Sequence, residues 1–279
     1  MNAGFSQAKH FIYGNEKRRY IIYLPSGYQK DTIRTFPLVF NFHGGGMTMT
    51  EQMFYTQMNK SAEKHQFIVV YPQGIKQDWN VGFEMSYQHG TDDVGFIKTL
   101  MDSLMKKYRI RQNEVYATGL SRGGFFCHRL AAELPERFAA IAPVGAPIPD
   151  SVVYFNRKTN PIGMMLIQGD ADNIVSYTGK GNAYYSAKAT YDYWVNQNSL
   201  ADVGENAQHI ERLKADSTSV QIIKRSSKGI TVSLVTIKGG GHTWPGSDAF
   251  NIGFPLGKTS REINVNEMIW NFFKEHSRK

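Results

Sequence analysis

The feature that most constrains this chain is a G-x-S-x-G pentapeptide set between a strand pattern and a helix pattern. It spans residues 119–123, after an apolar strand pattern over 115–118 and before a buried helical pattern over 125–132. A sharp turn of this kind holds the serine hydroxyl clear of the backbone, where it can reach a carbonyl carbon. The pattern therefore predicts Ser121 as a nucleophile. It also places the Arg122 amide at a helix N-terminus, aimed at developing negative charge.

Two further glycine-rich segments follow strand patterns on either side of this turn. The apolar stretch 36–42 leads into His43-Gly44-Gly45-Gly46, where uncovered N–H groups suit an oxyanion hole. The alternating stretch 232–237 leads into 239–246, which contains His242. A lone loop histidine is often only solvated, but the chain order of hole, serine and histidine favours His242 as the general base.

The acid of a catalytic triad is expected between the serine and the histidine. A strand pattern over 161–167 is followed by Asp170 and Asp172, and either carboxylate could reach His242. The order serine, acid, histidine is that of α/β-hydrolases and differs from chymotrypsin and subtilisin. We therefore predict an α/β class protein with the α/β-hydrolase fold, a mostly parallel central sheet flanked by helices. Residues 1–279 are expected to form a single catalytic domain.

Several blocks of the sequence resemble the polyhydroxybutyrate depolymerase-like esterases, which are grouped with the feruloyl and acetylxylan esterases of carbohydrate-esterase family one. The similar blocks are residues 23–28, 92–97, 116–124, 134–144, 240–246, 256–260 and 270–273. They are spread over almost the whole chain.

This resemblance implies roles for particular residues. The family's acid carries over to Asp172, although Gln168 stands where the family has histidine. The oxyanion hole carries over to the Gly45 and Arg122 amides. Trp244 is similar to a family residue that lines the substrate cleft, with a tryptophan that only caps the core as the alternative.

Composition excludes some other classes of protein. The net charge is +8, but the basic residues are scattered, so no nucleic-acid partner is expected. No apolar run approaches the roughly 18 residues of a membrane span. Cys127 is the only cysteine and is expected to be a small buried hydrophobe. Asp92 and Asp93 are interpreted as helix-capping residues, and we expect neither a metal nor a cofactor. The N-terminus lacks a signal-peptide pattern, yet polymer-degrading relatives are exported, so a secreted or periplasmic protein is expected.

Hydrophobic spacing predicts the remaining elements. Strand patterns over 19–24 and 38–42 are expected to open the sheet as an antiparallel pair. The weak, polar stretch 200–228 is interpreted as a hairpin or mobile cover. Asn264 is the expected N-cap of the last helix. Helices are predicted over residues 51–65, 93–108, 183–198 and 265–276.

These observations predict a serine carboxylesterase with Ser121, Asp172 and His242 as its triad. Feruloyl or related hydroxycinnamoyl esters of plant polysaccharide are the substrates that the resemblance favours, and acetylxylan or polyhydroxyalkanoate oligomers are the alternatives. A prolyl-oligopeptidase-type serine peptidase is a candidate from another class, but no propeller-sized N-terminal domain is present. A non-catalytic glycan-binding protein is disfavoured, because no triad residue is missing.

Overall fold

A mixed α/β sheet organises the computed structural model, which describes residues 4–158, 160–211, 216–248, 250 and 255–278. Over these residues the sheet has ten strands, in the order β1-β2-β4-β3-β5-β6-β7-β10-β9-β8. The strands are β1 Phe5–Tyr13, β2 Glu16–Leu24, β3 Phe36–Phe42, β4 Ile68–Pro72, β5 Ile110–Leu120, β6 Ala140–Val144, β7 Gly163–Gly169, β8 Asn206–Ile210, β9 Ser219–Ser227 and β10 Ile230–Lys238.

The six central strands, from β4 to β10 in sheet order, are mutually parallel, and the flanking pairs are antiparallel. This confirms the predicted α/β class. The predicted pairing of the first two strand patterns is wrong, because β2 pairs with β1 and β4, and β4 lies between β2 and β3. The carboxyl ends of parallel strands meet at one edge, which is where the glycine-rich segments lie.

Helices cover both faces of the sheet in the part of the chain that is described. Strand β3 is buried on both sides, with Phe36, Leu38, Phe40 and Phe42 in one core cluster and Val39 in the other. Such double burial explains its continuous apolar sequence. The helices are α1 Gly27–Lys30, α2 Met49–Thr56, α3 Met58–His65, α4 Asp93–Lys107, α5 Arg122–Glu133, α6 Asp150–Phe155, α7 Ala187–Gln197 and α8 Val265–Phe273.

The helix predicted over 51–65 is two helices. Gln57 has left-handed backbone angles (φ 49°, ψ 28°) and separates α2 from α3. Residues before and after Gln57 therefore do not share one continuous helical face, and Phe54 on α2 is 68% exposed. Both short helices still pack on the sheet side that α8 also covers, α2 through Met49 and Tyr55 and α3 through Met58 and Ala62.

The polar stretch 200–228 contains the strands β8 and β9, which pair antiparallel with each other, and β9 also pairs antiparallel with β10. It extends the sheet as the predicted hairpin would, although residues 212–215 lie outside the described residues. Strand β8 is almost wholly exposed, which explains its weak hydrophobic signal. Among the helices of the described residues, none combines the length and apolar character that a membrane crossing requires.

Candidate active site

Ser121 occupies the sharp turn between β5 and α5. Its backbone angles are φ 53° and ψ −121°, and a positive φ is unfavourable for a residue with a side chain. The turn is held in place because the Ser121 amide donates to the Val144 carbonyl (2.9 Å) and its carbonyl accepts from the Phe125 amide (2.9 Å). Strain that is held by surrounding structure in this way is typical of functional sites.

Close packing explains the glycines of this turn. A Cβ placed on Gly119 would lie 2.7 Å from the Gly123 carbonyl carbon, and one placed on Gly123 would lie 2.3 Å from the Phe42 carbonyl oxygen. Neither position can take a side chain without moving β5, β3 or α5. The Ser121 hydroxyl makes no hydrogen bond to another described residue and is partly exposed, so it is free to meet a ligand.

The His242 ring contacts Asp172 at the end of the neighbouring strand β7. The distance from His242 Nδ1 to Asp172 Oδ2 is 2.7 Å, and both side chains are buried. A carboxylate at Nδ1 fixes the tautomer in which Nδ1 carries the proton and Nε2 can accept one. Ring Nε2 makes no hydrogen bond within the described chain. The His242 amide donates to the Leu256 carbonyl (2.6 Å), which holds the loop after β10 in place.

Four donors surround the Asp172 carboxylate. Oδ1 accepts from the amides of Ile174 (2.9 Å) and Val175 (2.8 Å), and Oδ2 accepts from His242 and from Gln168 Nε2 (3.1 Å). Donors of this kind restrict the carboxylate to one orientation. Sequence reasoning noted that Gln168 replaces the usual histidine but gave it no role, because the contact appears only in three dimensions.

Asp170, the alternative acid, faces another way. Its Oδ1 accepts from the Gly239 amide (2.6 Å) and its Oδ2 pairs with Lys238 Nζ (2.6 Å). It therefore links the loop after β7 to the end of β10 and has no contact with the imidazole. Of the two carboxylates, the structure brings Asp172 to His242.

The glycine loop after β3 lies against the serine turn. A Cβ on Gly44 would be 3.7 Å from Ser121 Cβ, and one on Gly45 would be 3.0 Å from Arg122 Cγ. The amides of Gly46 and Met47 are already used, donating to the Gln77 (2.9 Å) and Gly44 (3.1 Å) carbonyls. In the described chain, the Gly45 and Arg122 amides donate to no other protein group. Both are therefore available to an oxyanion.

His43 shapes this loop and titrates far from neutrality. Its buried ring donates from Nδ1 to the Gly44 carbonyl (2.8 Å) and accepts at Nε2 from the Gly74 amide (2.9 Å). Burial lowers the pKa of His43 to about 4, so the ring is neutral near pH 7. The sequence identified His43 as part of the glycine loop, but its partner in the chain after β4 could not be read from a local pattern.

Trp244 does not line the cleft, contrary to the role that the resemblance implied. Its indole is 1% exposed and its Nε1–H donates to Asn266 Oδ1 (3.0 Å) on α8. Its amide donates to the Tyr55 hydroxyl (2.9 Å). A side chain this deeply packed offers no surface to a substrate, and the alternative of a core tryptophan is correct.

The remaining candidate groups have structural roles. Asp92 caps α4 by accepting from the Gly95 amide (2.9 Å), and Asp93, the first residue of α4, pairs with buried Arg18 (2.7 Å). Cys127 is buried, as predicted. Across the described ranges, no three His, Cys, Asp or Glu side chains are grouped as a metal site would require.

Comparison with known proteins finds similar esterases. Residues 13–231 match the family described as "Putative esterase". "Putative esterase NocK" of Nocardia uniformis subsp. tsuyamanensis is 28% identical over 253 residues, covering 85% of this chain and 73% of that protein. "Feruloyl esterase B" of Piromyces equi is 26% identical over 239 residues, covering 81% of this chain and 42% of that longer protein.

A solved structure described as "Acetyl xylan esterase from Aspergillus awamori" is similar to nearly the whole chain. The TM-score is 0.64 at 15% identity, covering 96% of this chain and 99% of that chain. At this identity the similarity shows the fold, which is that of the α/β-hydrolases. Because the family match extends over most of the sequence, the chain belongs to the "Putative esterase" family and is a carboxylic ester hydrolase.

Proposed function

We propose that the protein is a serine carboxylesterase in which Ser121 is the nucleophile, His242 the general base and Asp172 the residue that orients the base. The observation that carries this proposal is the 2.7 Å contact between His242 Nδ1 and Asp172 Oδ2, made beside a serine in a strained strand–helix turn. The His242 ring lies over Gly145, the residue after Val144, and the Val144 carbonyl holds the Ser121 amide. Base and nucleophile therefore share one strand end.

In the proposed reaction these groups act in sequence. Ser121 Oγ attacks the ester carbonyl carbon while its proton passes to His242 Nε2, since a serine hydroxyl is a weak nucleophile without a base. The Gly45 and Arg122 amides stabilise the tetrahedral oxyanion. The alcohol leaves with the proton from Nε2, and an acyl-enzyme remains. Water, deprotonated by the same nitrogen, releases the acid and restores the serine.

For the substrate, we propose feruloyl or related hydroxycinnamoyl esters attached to plant polysaccharide. The support is the similarity to a relative named feruloyl esterase B, together with the resemblance in sequence described above. An acetylxylan ester and a polyhydroxyalkanoate oligomer are the alternatives within the same chemistry. A polymeric substrate fits a secreted or periplasmic location, which is part of this proposal.

One experiment tests the chemistry and the substrate together. Purified protein is assayed with methyl ferulate, p-nitrophenyl acetate, a hydroxybutyrate oligomer and a proline-containing peptide amide, beside the variant Ser121→Ala. We expect the highest kcat/KM on methyl ferulate. We expect a loss of on the order of 10³-fold or more in the variant, with unchanged thermal unfolding.

Each other outcome has a definite meaning. A preference for acetyl or hydroxybutyrate esters would reassign the substrate and leave the triad intact. A preference for the peptide amide would replace the esterase by a peptidase. Activity of Ser121→Ala within a few-fold of the wild type would show that another residue is the nucleophile.

A further inference from the structure

Three consecutive residues after β4 contact the two halves of the proposed oxyanion hole. The Gln77 carbonyl accepts from the Gly46 amide (2.9 Å), and Trp79 Nε1 donates to the His43 carbonyl (3.0 Å). Between them, Asp78 Oδ1 pairs with Arg122 Nε (3.2 Å). Residues 77–79, named here the brace, thus touch both the glycine loop and the residue that follows the nucleophile.

The Arg122 side chain has a second function beside the amide that it contributes. Its stem lies over Gly45, where a Cβ would be 3.0 Å from Arg122 Cγ. Its guanidinium lies 4.6 Å from the Phe83 ring centroid and also pairs with Glu84. The side chain is only 14% exposed. Fixing this side chain therefore fixes its own amide and limits the movement of the Gly45 backbone.

Asp78 is itself held firmly. The oxygen that pairs with Arg122 also accepts from the Trp79 amide (2.8 Å), so the carboxylate has one orientation. The preceding residues Lys76 and Gln77 have positive φ angles of 51° and 59°. Backbone of this kind is unfavourable for residues with side chains and persists where the surroundings fix it. Burial raises the pKa of Asp78, as expected for a carboxylate half withdrawn from water.

Glu84 contributes less to this arrangement. Its side chain is 68% exposed, and an ion pair on the surface is weak because water screens it. Asp78 is less exposed, at 32%, and is the middle residue of the brace. Of the two carboxylates on Arg122, Asp78 is the one that can set the position of the guanidinium.

From these contacts we infer that Asp78 is a positioning residue for the oxyanion hole, acting through the Arg122 side chain on the Arg122 and Gly45 amides. The inference rests on the proposed function, since it needs the hole that the proposal assigns. A hole acts on the charge that develops in the transition state, so misplaced donors slow the chemical step more than they weaken substrate binding.

The experiment is a double-mutant cycle in the full chain with the best ester of the substrate panel. The single variants are Asp78→Asn and Arg122→Met, in which the methionine keeps a stem over Gly45 but has no charge. We expect Asp78→Asn to lower kcat by roughly ten-fold or more, with KM within two-fold. This is less than the roughly 10²–10³-fold known for removal of a whole hole donor. In the Arg122→Met background, Asp78→Asn is expected to have no further effect, because residues that act as a unit are not additive.

Two controls separate this role from a structural one. Asp102, on α4, is another carboxylate that pairs with an arginine, Arg137, and Asp102→Asn removes its charge. It is expected to keep wild-type kcat. The affinity of Asp78→Asn for a boronic acid that forms a tetrahedral adduct on serine is expected to fall by the same factor as kcat, while the affinity for the product acid is unchanged.

A kcat within two-fold of the wild type in Asp78→Asn would overturn the inference. Multiplicative effects of the two substitutions, or a loss seen equally in KM, would overturn it as well. None of these results touches the proposed function, which is tested separately by the substrate panel and by Ser121→Ala. If Asp78→Asn unfolds, Asp78→Glu, which keeps the charge, is measured in the same cycle. It is expected to retain more than half of kcat, and a ten-fold loss there would also contradict the inference.

Discussion

Asp172 and Asp170 contact different groups, and this difference predicts the outcome of matched substitutions. In Asp172→Asn, an amide NH2 group can take the place of the carboxylate oxygen that faces His242 Nδ1. The imidazole then loses its required tautomer. We expect kcat/KM to fall by roughly 10³-fold or more. Asp170→Asn keeps an acceptor for the Gly239 amide and loses only a partly exposed pair with Lys238. We expect its kcat/KM within about ten-fold of the wild type; the reverse ranking would assign the acid to Asp170.

Gln168 offers a second prediction at the same scale. Its Nε2 donates to Asp172 Oδ2 and to the Val175 carbonyl (2.9 Å), so Gln168→Leu leaves a buried carbonyl without a partner. The free energy of unfolding is expected to fall by about 1–3 kcal/mol, with a several-fold loss of kcat. Gln168→His supplies an N–H donor again and should lose less of both. Urea unfolding and steady-state kinetics measure the two effects, and equal losses in both variants would argue against a donor role.

The residues of the candidate site were predictable to the extent that local sequence encodes them. Ser121 and His242 stand in short glycine-rich motifs after strand patterns, and such motifs are visible without any contact information. The choice of Asp172 over Asp170 needed the resemblance, since two positions on one loop have the same local signal. The roles of Gln168 and Asp78 depend on partners far along the chain or across a loop. Trp244 was misplaced because a motif gives a position in the chain and no side-chain direction.

At the scale of elements, strong apolar periodicity predicted the strands correctly, whereas a break between two helices was not predictable from the sequence. Strands β3, β5, β7 and β10 have long apolar runs and were found. The break at Gln57 was missed, because glutamine is an ordinary helix former and gives no local signal for its left-handed conformation. Strands β1 and β8 have mostly exposed side chains, so their alternation carries little hydrophobic contrast.

The predicted N-cap of the last helix is confirmed and can be tested by stability. Asn264 Oδ1 accepts from the amides of Asn266 (3.1 Å) and Glu267 (3.3 Å) at the start of α8. Asn264→Ala is expected to lower the free energy of unfolding by about 1 kcal/mol, and Asn264→Asp to leave it nearly unchanged. Asn271→Ala, on the exposed side of the same helix, is the control. A loss in Asn271→Ala equal to that in Asn264→Ala would remove capping as the reason.

For the whole molecule, buried histidines predict how stability depends on pH. Burial lowers the pKa of His43 to about 4 and that of His128 to about 3, below the ordinary value of 6.5. The native state keeps both rings neutral while the unfolded chain takes up protons below pH 6.5, so stability is lost as pH falls from there toward 4. Below pH 6.5 each ring contributes about 1.4 kcal/mol per pH unit, so these two rings alone should lower the free energy of unfolding by about 3 kcal/mol between pH 7.5 and 5.5. Burial also lowers the pKa of His276, which acts in the same direction.

Urea unfolding at the two pH values, with the proton uptake measured at pH 5.5, checks this expectation. His43 and His128 together should take up about two protons on unfolding, so the total uptake should be no smaller than this. Equal stabilities at pH 7.5 and 5.5 would show that the rings are charged or accessible in the native state. The contacts of His128 indicate a neutral ring, because it donates to the Ala146 carbonyl (3.0 Å) and accepts from Trp194 (3.1 Å) inside the core.

The sheet order also sets which substitutions a working enzyme can accept. Strand β6 lies between two pairs of strands. On one side, β3 and β5 lead into the glycine loop and the serine turn; on the other, β7 and β10 lead into the loops that carry Asp172 and His242. Gly145 directly follows this strand and has a φ of 63°, and a Cβ there would be 3.0 Å from His242 Cε1. In a library of random variants selected for ester hydrolysis, position 145 should therefore be as intolerant as the positions that carry out the chemistry. Gly145 would then be essential although it has no side chain, because the space above it is occupied by the His242 ring.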